Sequence, residues 1–192
     1  MKKQLFSLAL AVVFGFTAAA NTPIDGEKKV VKPSESSVTW KGYKVTGSHA
    51  GTISLKEGFL EFDGKKLIGG EFVVDMTTLE TTDDMGDMSA KLNGHLKSDD
   101  FFGVEAHPTS KLVIKSANSF NKNSYTVTGD LTIKGITKPV TFVVSVFENK
   151  ATATLKVDRS KYNVKYNSGS FFDNLGDKMI YDEFDLVVDM AF

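Results

Sequence analysis

From Ser37 to the C-terminus, apolar and polar side chains alternate with a period of two, the mark of strands that bury one face. The clearest run covers residues 125–134. Tyr125, Val127, Gly129, Leu131 and Ile133 share one face, and Thr126, Thr128, Asp130, Thr132 and Lys134 share the other. After a turn over residues 135–139, Val140, Phe142, Val144 and Val146 begin another apolar face. Ala151, Ala153, Leu155 and Val157 follow, and Phe184, Leu186, Val188 and Met190 close the series. Earlier runs occupy 38–45, 51–56, 59–63, 68–77 and 111–117, with an Asp63-Gly64 hairpin signal between two of them. About eight or nine strands with short links predict an antiparallel barrel or sandwich. A closed barrel is the more economical of the two, because closure removes exposed edges.

Two stretches break the rhythm. In residues 78–108, Met85, Met88, Leu92 and Leu96 are spaced closer to a helical period, and Ser98 looks like a break or a new cap. This predicts one or two short helices crossing or plugging the barrel. Residues 159–178, rich in Asn, Gly and aromatics, predict a long loop with a helical turn. Residues 21–36 carry Pro23, Gly26 and Pro33 among polar residues and read as a flexible leader.

The N-terminus has the pattern of an export signal. Lys2 and Lys3 precede an apolar run to Phe16, and Ala18-Ala19-Ala20 supplies a small-residue cleavage site before Asn21. The run is too short for a spanning helix, which needs about 20 apolar residues. Residues 1–20 are therefore expected to be a signal peptide, and the remainder to work in the periplasm, or in the medium if the cell has no outer membrane. No further stretch is apolar and long enough to span a bilayer. Loss of Lys2 and Lys3 with that segment leaves 21 basic side chains against 24 acidic ones, compared with 23 against 24 in the full chain. So mild and mixed a balance does not suit a nucleic-acid partner or an anionic membrane. The chain has no Cys, so no disulfide framework supports the fold.

Chemistry is sparse. Without Cys, thiol nucleophiles and zinc–thiolate sites are excluded. His49, His95 and His107 lack metal-ligand spacing, and the acid pairs fall in expected loops, so neither a metal nor another cofactor is expected. Apolar and aromatic side chains are in surplus instead. Counts alone favour a barrel filled by them, whereas Gly129, Ala151 and Ala153 on inward faces would leave volume for a ligand.

Several segments in order resemble the YceI-like family of exported bacterial proteins. They are Gly47-Ser48-His49-Ala50-Gly51-Thr52-Ile53, Gly70-Glu71-Phe72-Val73-Val74-Asp75-Met76, and His95 to Phe102 with Pro108 beyond. The Tyr125 to Val140 stretch, Asp158-Arg159-Ser160 and the acidic last strand complete the pattern, over residues 37–192. Gly103 and His107 depart from it, standing where an Asp and an aromatic are more usual. The resemblance implies an all-β fold with a short helical insertion: a closed, eight-stranded antiparallel lipocalin-like barrel. It also implies binding of a long apolar chain, such as a polyisoprenoid, isoprenoid quinone or fatty-acid amide, without catalysis. On that reading Trp40, Phe72, Val74, Leu131, Ile133, Phe142, Leu155 and Phe184 line the cavity. His49, His95, Arg159 and Tyr162 would meet a polar head group at its mouth. The alternative is a protein–protein accessory module of a membrane redox or stress system with a solid barrel. A homodimer is an open arrangement under either.

Overall fold

The computed structural model describes residues 26–192. Nine antiparallel strands and one α-helix make up its main elements. The strands are β1 (Glu27–Val30), β2 (Ser37–Lys44), β3 (Gly47–Asp63), β4 (Lys66–Thr81), β5 (Thr109–Ser119), β6 (Ser124–Ile133), β7 (Ile136–Phe147), β8 (Lys150–Asp158) and β9 (Ile180–Ala191), with helix α1 (Asp87–Lys97) between β4 and β5. Each of strands β2 to β9 pairs with its neighbour in the chain, β8 and β9 doing so across the long 159–179 connection, and β2 meets β9. The β3–β4 ladder closes the ring into an eight-stranded barrel.

The period-two pattern is realised with the expected faces. Along β8, Ala151, Ala153, Leu155 and Val157 are buried while Thr152, Thr154 and Lys156 are exposed. Where the barrel bends, the phase slips by one residue. The runs expected as separate strands at 51–56 and 59–63 are one strand, β3, with a bulge between Leu55 and Glu57 in its ladder to β4. Leu55 faces inward before the bulge, and Gly58, Leu60 and Phe62 after it. A bulge adds one residue, so it inverts which parity points inside.

The described part of the stretch expected as a flexible leader, residues 26–36, is built into the fold instead. Glu27–Val30 pairs with Phe59–Phe62 of β3, beside the part of β3 that β2 does not reach. The Val31 amide then donates to Gly58 O at 2.9 Å and the Lys32 amide to Ala191 O at 2.8 Å. These polar residues are held by backbone bonds and by one anchor, Val31, which is buried. The expected signal peptide, residues 1–20, lies outside the described residues.

Because consecutive strands alternate in direction, the connections sort to two ends. One end carries the short links at 64–65, 120–123 and 148–149 together with β1, and is called the turn end. The opposite end carries the short links at 45–46 and 134–135 together with α1, the loop over 98–108 and the segment over 159–179, and is called the lid end.

Candidate functional site

The barrel is hollow toward the lid end. A cavity of ≈ 230 Å³ runs inside it. Apolar cavities of about 150 Å³ lined by Leu, Ile and Phe already stay dry and take an aromatic guest, so this one has room for an apolar segment. Its wall includes Trp40 of β2, Phe72 and Val74 of β4, Leu131 and Ile133 of β6, Phe142 of β7, Leu155 of β8 and Phe184 of β9. The eight apolar residues expected to line a cavity thus converge on one space. Leu60, Ile114, Val144, Ala153 and Met190 continue the wall toward the turn end.

The three small inward residues behave differently from one another. Ala153 borders the cavity. Gly129 does not, because a Cβ there would stand 2.8 Å from Val113 O, so the glycine serves close strand approach rather than ligand volume. Ala151 is fully buried in the packed turn end.

Helix α1 and the loop after it roof the cavity. Leu92 and Leu96, one turn apart on α1, face it, together with Phe101 and Phe102. The helix is tied down by polar bonds from its C-terminal half. The Thr81 amide donates to Asn93 Oδ1 at 2.7 Å, and Lys97 Nζ donates to Thr77 O at 2.7 Å. Ser98 terminates the helix in an extended conformation, and its amide donates back to Gly94 O and His95 O. Lys134, in the β6–β7 turn, donates to Asp99 O at 2.6 Å and Phe101 O at 2.8 Å, holding the aromatic loop over the wall. Gly103 has φ +55, a left-handed conformation that explains a glycine where a side chain is more usual, and its amide donates to Ser98 O.

The four polar residues assigned to the mouth do not share one environment. Arg159 borders the cavity yet is almost fully buried, and its donors are committed. Nε donates to Tyr181 O, one terminal nitrogen to Val164 O at 2.9 Å and the other to Ile180 O at 3.0 Å. Its guanidinium also lies 3.5 Å from Asp182 Oδ1 and over the Phe101 ring. Burial pulls its pKa below the usual arginine value, opposed by Asp182 and Asp158. Arg159 is a latch that fastens the 159–179 segment to the start of β9.

Tyr162 is buried and does not border the cavity, so the expected mouth contact is corrected to a packing role. Burial pushes its phenol up to about 12. His49 does border the cavity, with Nδ1 2.8 Å from Asp83. His95 does not. It sits in a shallower recess outside the mouth, edge-on to Phe101 and Tyr166, with Nε2 3.4 Å from Asp100.

Asp182 escaped the sequence reading, although parity points to it. Extending the inward series Phe184, Leu186, Val188 and Met190 back by two residues reaches it. Its Oδ2 accepts from Ser170 at 2.6 Å, and its buried Oδ1 has no hydrogen bond, only the neighbouring Arg159 charge.

With that geometry in hand, the chain can be set beside known proteins. Residues 30–192 match the model of the YceI-like domain. A UPF0312 protein of Pseudomonas putida is 32% identical over 149 residues, covering 74% of this chain and 71% of that one. A UPF0312 protein of Vibrio campbellii is 33% identical over 152 residues, covering 73% and 72%. Among solved structures, Burkholderia cenocepacia BcnA superposes with a TM-score of 0.67 at 24% identity, over 84% of this chain and 99% of that one. A polyisoprenoid binding domain from Saccharophagus degradans gives 0.57 at 13% identity, over 84% and 97%. At these identities the structures attest the barrel itself. Matched by the domain model across the whole barrel and by relatives over most of their length, the chain belongs to the YceI-like family.

Proposed function

We propose that this is an exported, non-catalytic binding protein that sequesters a long apolar chain within its barrel. The observation that carries the reading is the hydrocarbon-lined cavity that runs inside the barrel from the lid end. Each methylene moved from water into such a space gains about 0.8 kcal/mol, so a chain of modest length binds with few polar contacts. A polyisoprenoid, isoprenoid quinone or fatty-acid amide supplies such a chain. The description of the Saccharophagus domain as polyisoprenoid binding favours the first of these. The cavity weighs against the alternative of a solid barrel acting only as a protein–protein module.

Residues 1–20 would direct export and be removed before Asn21. The carrier then works in the periplasm, or outside the cell where there is no outer membrane. Extraction of the purified protein with organic solvent, followed by mass spectrometry, tests the carrier reading. A prenyl or acyl chain in stoichiometric amount is expected. A ligand-free protein that takes up no such chain on exposure would contradict it. N-terminal sequencing of the exported protein is expected to begin at Asn21.

A further inference from the structure

The cavity has a mouth at the lid end, where the exposed Tyr181 borders it, and a floor inside the barrel. Leu60 on β3, Ile114 on β5, Val144 on β7 and Met190 on β9 are the last residues of their strands, toward the turn end, that border the space. Beyond them the interior is solid. Phe62, Leu67, Ala117, Val127 and Ala151, from five different strands, are buried there and none borders the cavity. A chain that enters from the lid end therefore meets a packed apolar stop.

Two measures of the space agree on how much of a chain it takes. Phe184 meets Phe102 of the roof with ring centroids 6.4 Å apart, and Met190 lies at the floor on the same strand. The residues from Phe184 to Met190 rise about 3.4 Å per step, so a strand tilted by about 40° spans a depth of about 15 Å. An extended chain of single bonds advances about 1.2 Å per bond, as a stretched backbone does, so about twelve carbons reach from roof to floor. The volume of ≈ 230 Å³ leads to a similar figure. A cavity of about 150 Å³ takes the six carbons of benzene, which scales to about nine carbons here.

We propose that the solid turn end makes the barrel a gauge of chain length, enclosing the terminal stretch of one chain, about ten carbons, and leaving the remainder outside. The inference rests on the carrier reading and narrows its ligand class to molecules with an unsubstituted apolar end of that length. A methylene contributes to binding only where it leaves water, so those that reach the cavity add affinity and those beyond the mouth add none. The floor does not yield to a longer chain, because Leu67 and Val127 are fully buried and a close-packed interior resists added volume.

Calorimetric titration with straight-chain alkanoates from hexanoate to hexadecanoate, kept below micelle formation, isolates length, because the head group is common to all. The dissociation constant is expected to fall about fourfold with each added methylene up to about ten carbons, and to level beyond that length. Met190→Ala lowers the floor and is expected to carry the break to longer chains. Val144→Leu raises the floor and is expected to bring the break to shorter ones. An undiminished gain through hexadecanoate would overturn the gauge while leaving the carrier intact. So would a break that neither floor variant moves. Failure of every alkanoate to bind would remove the carrier reading itself and this inference with it.

Discussion

The two ends of the barrel are built from the same alternating strands and serve opposite purposes. At the turn end Phe62, Leu67, Tyr125, Val127 and Ala151 are buried and none borders the cavity. Short links close it, and Tyr125 caps it by donating to Lys65 O at 2.9 Å. At the lid end the inward side chains are no smaller, yet they surround a space. The difference lies in what covers them. Only short links and β1 close the turn end, whereas at the lid end α1, the aromatic loop and the 159–179 segment add a roof that stands off the wall. That roof is held by polar fastenings, chiefly Asn93, Lys134 and Arg159. A solid end can thus supply the stability that a hollow end does without.

The strongest test of this division concerns the roof's fastening. Arg159→Ala leaves Asp182 buried without its partner and releases three backbone carbonyls. Loss of about 3–5 kcal/mol is expected in urea unfolding. A cost near zero would show that the roof is held by apolar contact alone.

Next come matched truncations. Leu67→Ala, in the solid end, is expected to cost about 2–5 kcal/mol, whereas Leu131→Ala on the cavity wall should fall at or below the lower limit of that range. Leu131 already lacks neighbours on one side. Equal losses would mean that the wall is as tightly supported as the turn end.

Enlargement reverses the sign of the contrast. Val127→Phe is expected to overpack the turn end at a cost of about 1–3 kcal/mol. Ala153→Phe fills existing space, so its cost should stay below about 1 kcal/mol while uptake of a chain is lost. A large cost at Ala153 with uptake intact would place the ligand elsewhere.

A narrower effect, confined to one pH window, concerns alkaline pH. The Tyr162 phenol has an ordinary value of 10.0 and is held at about 12 in the fold. Above pH 10 the unfolded chain loses that proton before the folded one does, so stability contributed by this group is complete below pH 10 and drains away as pH rises toward 12. Tyr162→Phe is expected to remove that part of the alkaline slope, on the order of 2 kcal/mol, in unfolding measured across that window. An unchanged slope would mean that the phenol reaches water.

Much of this was legible from alternation because a strand's parity is local information. Trp40, Leu131, Phe142 and Phe184 could be placed on one inner surface without knowing which strands pair. The places where the reading failed are those where a single residue or a distant partner decides. The β3 bulge inverts parity at one position, which split a continuous strand into two. Glu27–Val30 has no apolar face to announce it and becomes a strand only because β3 offers an open edge. Arg159 and Tyr162, three residues apart, are both polar by type and were assigned one role. Burial of the Arg159–Asp182 pair and packing of the 159–164 turn give them others, and no local pattern encodes those contacts.

Trp40 permits the most direct test of the hollow end. It is the sole tryptophan of the chain and borders the cavity, so its emission reports on what enters. Titration with a brominated alkyl chain, whose bromine quenches indole on contact, is expected to extinguish Trp40 fluorescence saturably, and Ala153→Phe is expected to abolish the quenching. Absence of saturable quenching, or quenching that Ala153→Phe leaves unchanged, would contradict a ligand chamber inside the barrel.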